Sequence, residues 1–166
     1  MAAQLRLNMA DMLLQQGRAL EAERLFAEGA EHLRRIGDHE LLPHLVAGIA
    51  ESALERGELE QAAARTEEAL DIANKSSDPL AWVTVHRIAG RVWHARGRNE
   101  SAHQHFERAL EIAGTIDDPD LRARVTYDFA RALEAEGDAA AAAHRFRQAY
   151  EAGRGPSTAP LSQVIS

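Results

Sequence analysis

The sequence predicts an all-α solenoid of four antiparallel helix pairs, and three observations predict it. Glycines recur at Gly17, Gly57, Gly97 and Gly137, forty residues apart each time. Small residues keep a fixed register to them: Ala10, Ala50, Gly90 and Ala130 lie seven before, and Ala22, Ala62, Ala102 and Ala142 five after. Apolar residues recur at helical spacing, as in Leu59, Ala62, Ala69, Leu70 and Ile72, while β-branched residues never alternate over a useful length. Several positions in register over four periods identify internal duplication, and a period of this length reads as a stacked array.

Each repeat supplies two helices. In the first, residues 3–16 lead to a turn at Gly17 and a second helix over 19–36. In the second repeat Pro43 is excluded from a helix interior, so the first helix starts at about residue 42. It runs to 56, Gly57 turns the chain, and the second helix covers 59–74. Asp78-Pro79 and Asp118-Pro119 read as a side-chain cap followed by proline at the first helical position. They open helices over 79–96 and 119–136, and Gly97 and Gly137 lead into 99–114 and 139–152. Each of these glycines ends a first helix, where a left-handed cap suits a residue without a side chain. The repeats fall at about 1–37, 38–77, 78–117 and 118–152, a single domain over 1–152. Residues 153–166, rich in Gly, Pro and Ser, are expected as a disordered tail or linker.

The small residues let the two helices of a pair approach, and Phe26, Phe106 and Phe146, nine residues after their glycines, are expected to fill the space between pairs. One pair alone leaves an apolar face wet, so each repeat is stabilised by its neighbours. Two departures stand out. Thr66 replaces the aromatic in repeat two, and Gly29 sits mid-helix, where glycine costs about 1 kcal/mol relative to alanine.

Composition narrows the function classes. The chain has 166 residues and a mass of 18.2 kDa, enough for one domain with a core of its own. Having no cysteine, it has no disulfide, thiolate metal site or cysteine nucleophile. A net charge of −7 argues against nonspecific binding of nucleic acid or anionic membranes. No apolar run approaches the ~20 residues of a membrane span, and the first sixteen residues lack a signal-peptide core. A cytoplasmic protein is expected.

The pattern of a small residue, a turn glycine, an alanine, an aromatic and a second alanine resembles the tetratricopeptide repeat (TPR). Repeat three carries it best, with Gly90, Trp93, Gly97, Ala102, Phe106 and Ala109, followed by Ala130, Leu133, Gly137, Ala142, Phe146 and Ala149 in repeat four. The resemblance covers about residues 3 to 152, at a period of forty rather than the usual ~34. Long-period arrays of this kind resemble those of bacterial signal-responsive regulators and scaffold proteins. The resemblance implies a right-handed superhelix whose first helices line a concave groove that binds a peptide or partner helix. Carried onto this chain, the groove positions include Asn8 and Asp11 in repeat one, His44, Glu51 and Glu55 in repeat two, Arg87, Arg91 and His94 in repeat three, and Arg124, Tyr127, Asp128, Arg131 and Glu134 in repeat four. The lysine and asparagine of the family's carboxylate-clamp members are absent, since Leu7 and Asp11 stand in their places, so chaperone tails are not expected ligands.

One groove position reads Asp11, Glu51, Arg91, Arg131 along the array. Residues 1–80 hold 8 basic against 15 acidic residues, and residues 81–166 hold 11 of each. The groove is therefore expected to be acidic at its N-terminal half and basic at its C-terminal half. Arg87, Arg91, Arg124 and Arg131 would there hold an acidic peptide or a terminal carboxylate, which guanidinium forks suit. Tyr127 is the aromatic candidate for partner contact, Trp93 is expected in the core, and Trp82 in the core or at the rim.

Eight histidines do not make a metal site: His103 and His105 cannot share a helix face, and no pair has a third ligand nearby. No nucleophile–base motif or phosphate loop is present, so no catalytic residue, cofactor or enzymatic activity is expected. The first reading is a protein-interaction module without membrane or nucleic-acid partners. The alternative is a structural module that self-associates through open solenoid ends. Counting back from Asp38 places the start of the chain inside a repeat, which fits either a segment of a longer protein or ends that pair in an oligomer.

Overall fold

The computed structural model describes residues 2–153. They form eight helices: α1 (Ala3–Gln15), α2 (Ala19–Ile36), α3 (Leu42–Glu55), α4 (Leu59–Ala73), α5 (Pro79–Ala95), α6 (Asn99–Ala113), α7 (Pro119–Ala135) and α8 (Ala139–Gly153). No strand occurs among the described residues. The expected helices are all present, most of them ending one residue early. α8 instead carries through Gly153, and the rest of the expected tail, 154–166, lies outside the described residues.

Each pair packs on itself across a short turn, and consecutive pairs join through α2 on α3, α4 on α5 and α6 on α7. The first helices also touch one another, α1 on α3, α3 on α5 and α5 on α7. The backbones of the second helices stay apart, bridged only by long side chains such as the Arg34–Glu68 ion pair between α2 and α4. Rods held close along one edge and splayed along the other must curve. The concave face is therefore built from α1, α3, α5 and α7.

The turns show why glycine recurs. Gly17, Gly57, Gly97 and Gly137 have φ of 75°, 75°, 74° and 88°, the left-handed region a side chain disfavours. The amide after each reaches back to close the helix end: Arg18 to Leu13, Glu58 to Ala53 and Arg98 to Trp93 at 2.9 Å, and Asp138 to Leu133 at 3.0 Å. Gly37 closes α2 in the same way, at φ 70°, although it has no counterpart in the forty-residue register.

Two of the three recurring aspartates cap helices. Asp78 accepts a hydrogen bond from the Leu80 amide and Asp118 from the Leu121 amide, both at 2.9 Å. Asp38 instead accepts from Glu40 inside the loop, and α3 starts later with Pro43 in its first turn.

The core is one continuous cluster running through all four pairs. Phe26 crosses the first joint, and a Cβ on Gly48 of α3 would sit 2.5 Å from its ring. Phe106 occupies a similar wedge: a Cβ on Gly90 would come within 2.7 Å of it, and its other face stacks on Phe129 of α7 at 5.1 Å. The departures also find reasons. A Cβ on Gly29 would meet Leu45 at 3.1 Å, so its helix-propensity cost allows α2 and α3 to approach. Thr66 is fully buried, with its hydroxyl donating to the Ala62 carbonyl at 2.8 Å.

Candidate functional site

The concave face is crossed by a chain of ion pairs. Arg87 of α5 donates to Asp128 of α7 at 2.6 Å and to both carboxylate oxygens of Glu51 of α3 at 3.2 Å. Arg91, one turn on, pairs with the same Glu51 and with Glu55 at 2.6 Å. Arg87 is only 6% exposed. Burial works against its charge, but Glu51 and Asp128 more than compensate and hold the guanidinium protonated. Burial likewise pushes the Glu51 carboxyl up, yet Arg87 and Arg91 leave it below the usual carboxylate range.

This corrects the expected charge pattern. Arg87 lies beneath the groove surface rather than on it, and Arg91 is neutralised by the acidic residues of repeat two. The four arginines do not form an open basic half. The sequence register identifies the helix face each residue occupies; it does not show that adjacent first helices lie close enough for Glu51 to meet two arginines.

Above this floor the concave face opens into a cleft of about 550 Å³ between α3, α5 and α7. Leu54 is half-buried at its edge, while Phe106 and Ala132 lie buried beneath it. Arg91, His94, Tyr127 and Arg131, all groove residues expected from sequence, line it together. Tyr127 is 48% exposed, resting edge-on against Phe146 at 5.6 Å. Arg131 is exposed and 3.7 Å from Glu134, and its charge is favoured by neighbouring Tyr127. His94 faces Glu136 at 3.3 Å, and His103 of α6 approaches the same carboxylate at 3.0 Å.

Arg124 stands one turn before Tyr127, exposed and without an ion pair inside 4.0 Å among the described residues. It lies near enough to Asp11 to stabilise that carboxylate. The Asp11 carboxyl is nevertheless pushed up, by partial burial and by Glu51. Asn8 is exposed, bonded to Gln4 at 3.0 Å, and lies outside the cleft. What sequence reasoning missed is the link beneath the cleft, in which Arg87 bridges Glu51 and Asp128.

Trp93 is core, at 7% exposure, flanked by the Arg96 and Arg98 guanidiniums, each 5.5 Å from its ring. Trp82 is half-buried, donating to the Ser76 carbonyl at 3.3 Å and stacking on His86. His86 in turn meets His105 of α6 with the two Nδ1 atoms 2.9 Å apart, while its Nε2 is buried without a partner. Burial, then His105 and Arg108, depress the His86 pKa to about 4. The unfolded chain therefore binds a proton here that the folded chain refuses, so stability is full above about pH 6.5 and falls as pH drops toward 4. The melting temperature is expected to decline through that window, and His86→Phe, which keeps the ring on Trp82, to flatten the decline. An unchanged slope in the variant would show that other groups control it.

Among the described residues no three histidine, aspartate or glutamate side chains come together in a geometry that could hold a metal ion. No helix among them is long and apolar enough to cross a membrane.

No family model and no curated protein matches the sequence. Solved structures do. The chain is similar to BtubC (BKLC) from P. vanneervenii, with TM-score 0.69 at 16% identity, covering 95% of this chain and 66% of that one. The chain thus spans slightly under two thirds of that protein's length. It is also similar to two structures of Podosopora anserina kinesin light chain with nearly identical TPR-like repeats. One gives TM-score 0.59 at 18% identity over 90% of this chain and 74% of the other; the second gives 0.57 at 20% over 93% and 77%. At such identities the likeness establishes the fold: an all-helical solenoid of TPR-like repeats.

Proposed function

We propose that this chain, a solenoid of TPR-like repeats, is a protein-interaction module that binds an extended peptide or partner helix along its concave face. TPR-like folds commonly mediate protein–protein interaction. The observation that carries the reading here is the cleft between α3, α5 and α7, where exposed Tyr127 and Arg131 stand together. Aromatic and arginine side chains are the groups that concentrate binding energy at interfaces. Beneath them the Glu51–Arg87–Asp128 pairs join three helices, so the surface is preformed and little ordering cost falls on binding. Arg124 and Arg131, a seven-residue step of about 10 Å on α7, favour a partner segment with acidic groups. The role is binding rather than catalysis, within a regulator or scaffold.

The test is capture from the source cell's lysate, quantified by mass spectrometry, with wild type beside Tyr127→Ala and Arg124→Glu/Arg131→Glu. Arg91 is left alone, because reversing it would also break the pairs below the surface. A partner held by wild type should lose about tenfold or more in affinity for each variant. Equal capture by all three, with helicity intact, would remove the cleft from the binding site. Self-association, the second reading, shares Arg131 with this cleft and otherwise uses residues of α1 and α8.

A further inference from the structure

The repeats show what a joint between pairs is made of. Leu45, Val85 and Val125 hold one position of the first helices and are fully buried against the preceding pair; Leu5 holds it in α1 and is 49% exposed. Ile49, Ala89 and Phe129 are buried at a second position, where Met9 is 41% exposed. Ser52, Val92 and Ala132 are buried at a third, where Met12 is 58% exposed. The opposite half of the joint varies more, reading Phe26, Thr66 and Phe106 at one position and Ala30, Leu70 and Leu110 at the next. Phe106 covers Phe129, the counterpart of Met9, and the counterparts of Phe106 and Leu110 on α8 are Phe146, half-buried, and Tyr150, 63% exposed. The described chain therefore presents one half of its own joint on α1 and the other on α8.

Charge follows the same register. The position that reads Asp11, Glu51, Arg91, Arg131 puts like charges across the first and third joints and the Glu51–Arg91 ion pair across the second. A fourth joint, from pair four of one copy to pair one of another, would set Arg131 against Asp11, opposite charges again.

We propose that copies of this chain associate head to tail, Phe146, Tyr150 and Arg131 of one copy covering Leu5, Met9, Met12 and Asp11 of the next, in the arrangement of the joints within the chain. A second copy is the occupant because it carries both halves of a surface already used three times, with the charges matched. Asp11, whose carboxyl is held up by partial burial and Glu51, gains a counterion there. Such an interface is heterologous, so it propagates into a filament or closes into a ring rather than stopping at a two-fold dimer.

Sedimentation velocity on the full 166-residue chain, from micromolar to millimolar concentration, tests this. Wild type should grow in mass with concentration beyond a dimer. Met9→Glu/Met12→Glu blocks one end and Tyr150→Glu/Arg131→Asp the other; each alone should stay at 18.2 kDa. Mixed in equal amounts they retain one good end each and should reach twice that mass and stop. Asp11→Arg should weaken association about fivefold, and Asp11→Arg with Arg131→Asp should restore it. Circular dichroism confirms that each variant is folded. A wild type that remains at 18.2 kDa throughout, end variants that assemble as wild type does, or a mixture that stays monomeric each overturns the proposal.

Discussion

Arg87→Ala is expected to lower unfolding stability by about 3–5 kcal/mol, the range for removing one partner of a buried ion pair. Arg87 joins α3, α5 and α7 through Glu51 and Asp128. Its removal leaves Asp128, only 16% exposed, without its 2.6 Å partner, while Glu51 keeps Arg91. The cost is thus mainly that of a stranded carboxylate. Against a total stability of about 5–15 kcal/mol, this is a large share. Arg87→Lys should recover part of the loss, because a single ammonium cannot span both carboxylates as the planar fork does. Chemical denaturation of the three proteins is the measurement. A loss below about 1 kcal/mol in Arg87→Ala would mean the pairs contribute register rather than stability.

Phe106→Ala should cost a similar amount, about 3–5 kcal/mol, by emptying the wedge between Gly90 and Phe129. The same wedge makes the opposite change harmful. Gly90→Ala improves helix propensity by about 1 kcal/mol, but its Cβ would lie 2.7 Å from a fully buried ring that stacks on Phe129 and has nowhere to move. Overpacking of about 1–3 kcal/mol should win, leaving the variant less stable than wild type. Combining Gly90→Ala with Phe106→Leu should cost less than the two changes measured separately, because the smaller side chain makes room. Strict additivity would show that the ring and the glycine are not in conflict. A Gly90→Ala variant more stable than wild type would show that the ring yields.

The fold was legible because its signals are local and repeated. Gly17, Gly57, Gly97 and Gly137 mark backbone conformations that few other residues accept, and Asp78-Pro79 and Asp118-Pro119 announce helix starts through chemistry confined to adjacent residues. Four copies in register turn weak local preferences into one architecture. The expected groove residues were legible only as far as the helix face: the register assigned Arg91, His94, Tyr127 and Arg131 to first-helix positions, and packing brings the four to one cleft.

Which groove charges remain available was decided by tertiary structure. Whether Arg87 is a ligand-facing fork or a buried link depends on the spacing and rotation of α3, α5 and α7, and those are set by wedges such as Phe26 on Gly48 and Phe106 on Gly90. Side chains forty residues apart, as Glu51 and Arg91 are, meet or miss according to sub-ångström packing elsewhere in the joint. The sequence by itself determined the helices, their pairing and the face each residue occupies, because those follow from local backbone preference and periodicity. The tertiary structure alone decided which charges cancel and which remain exposed, because a Coulomb energy depends on the distance and burial that packing creates.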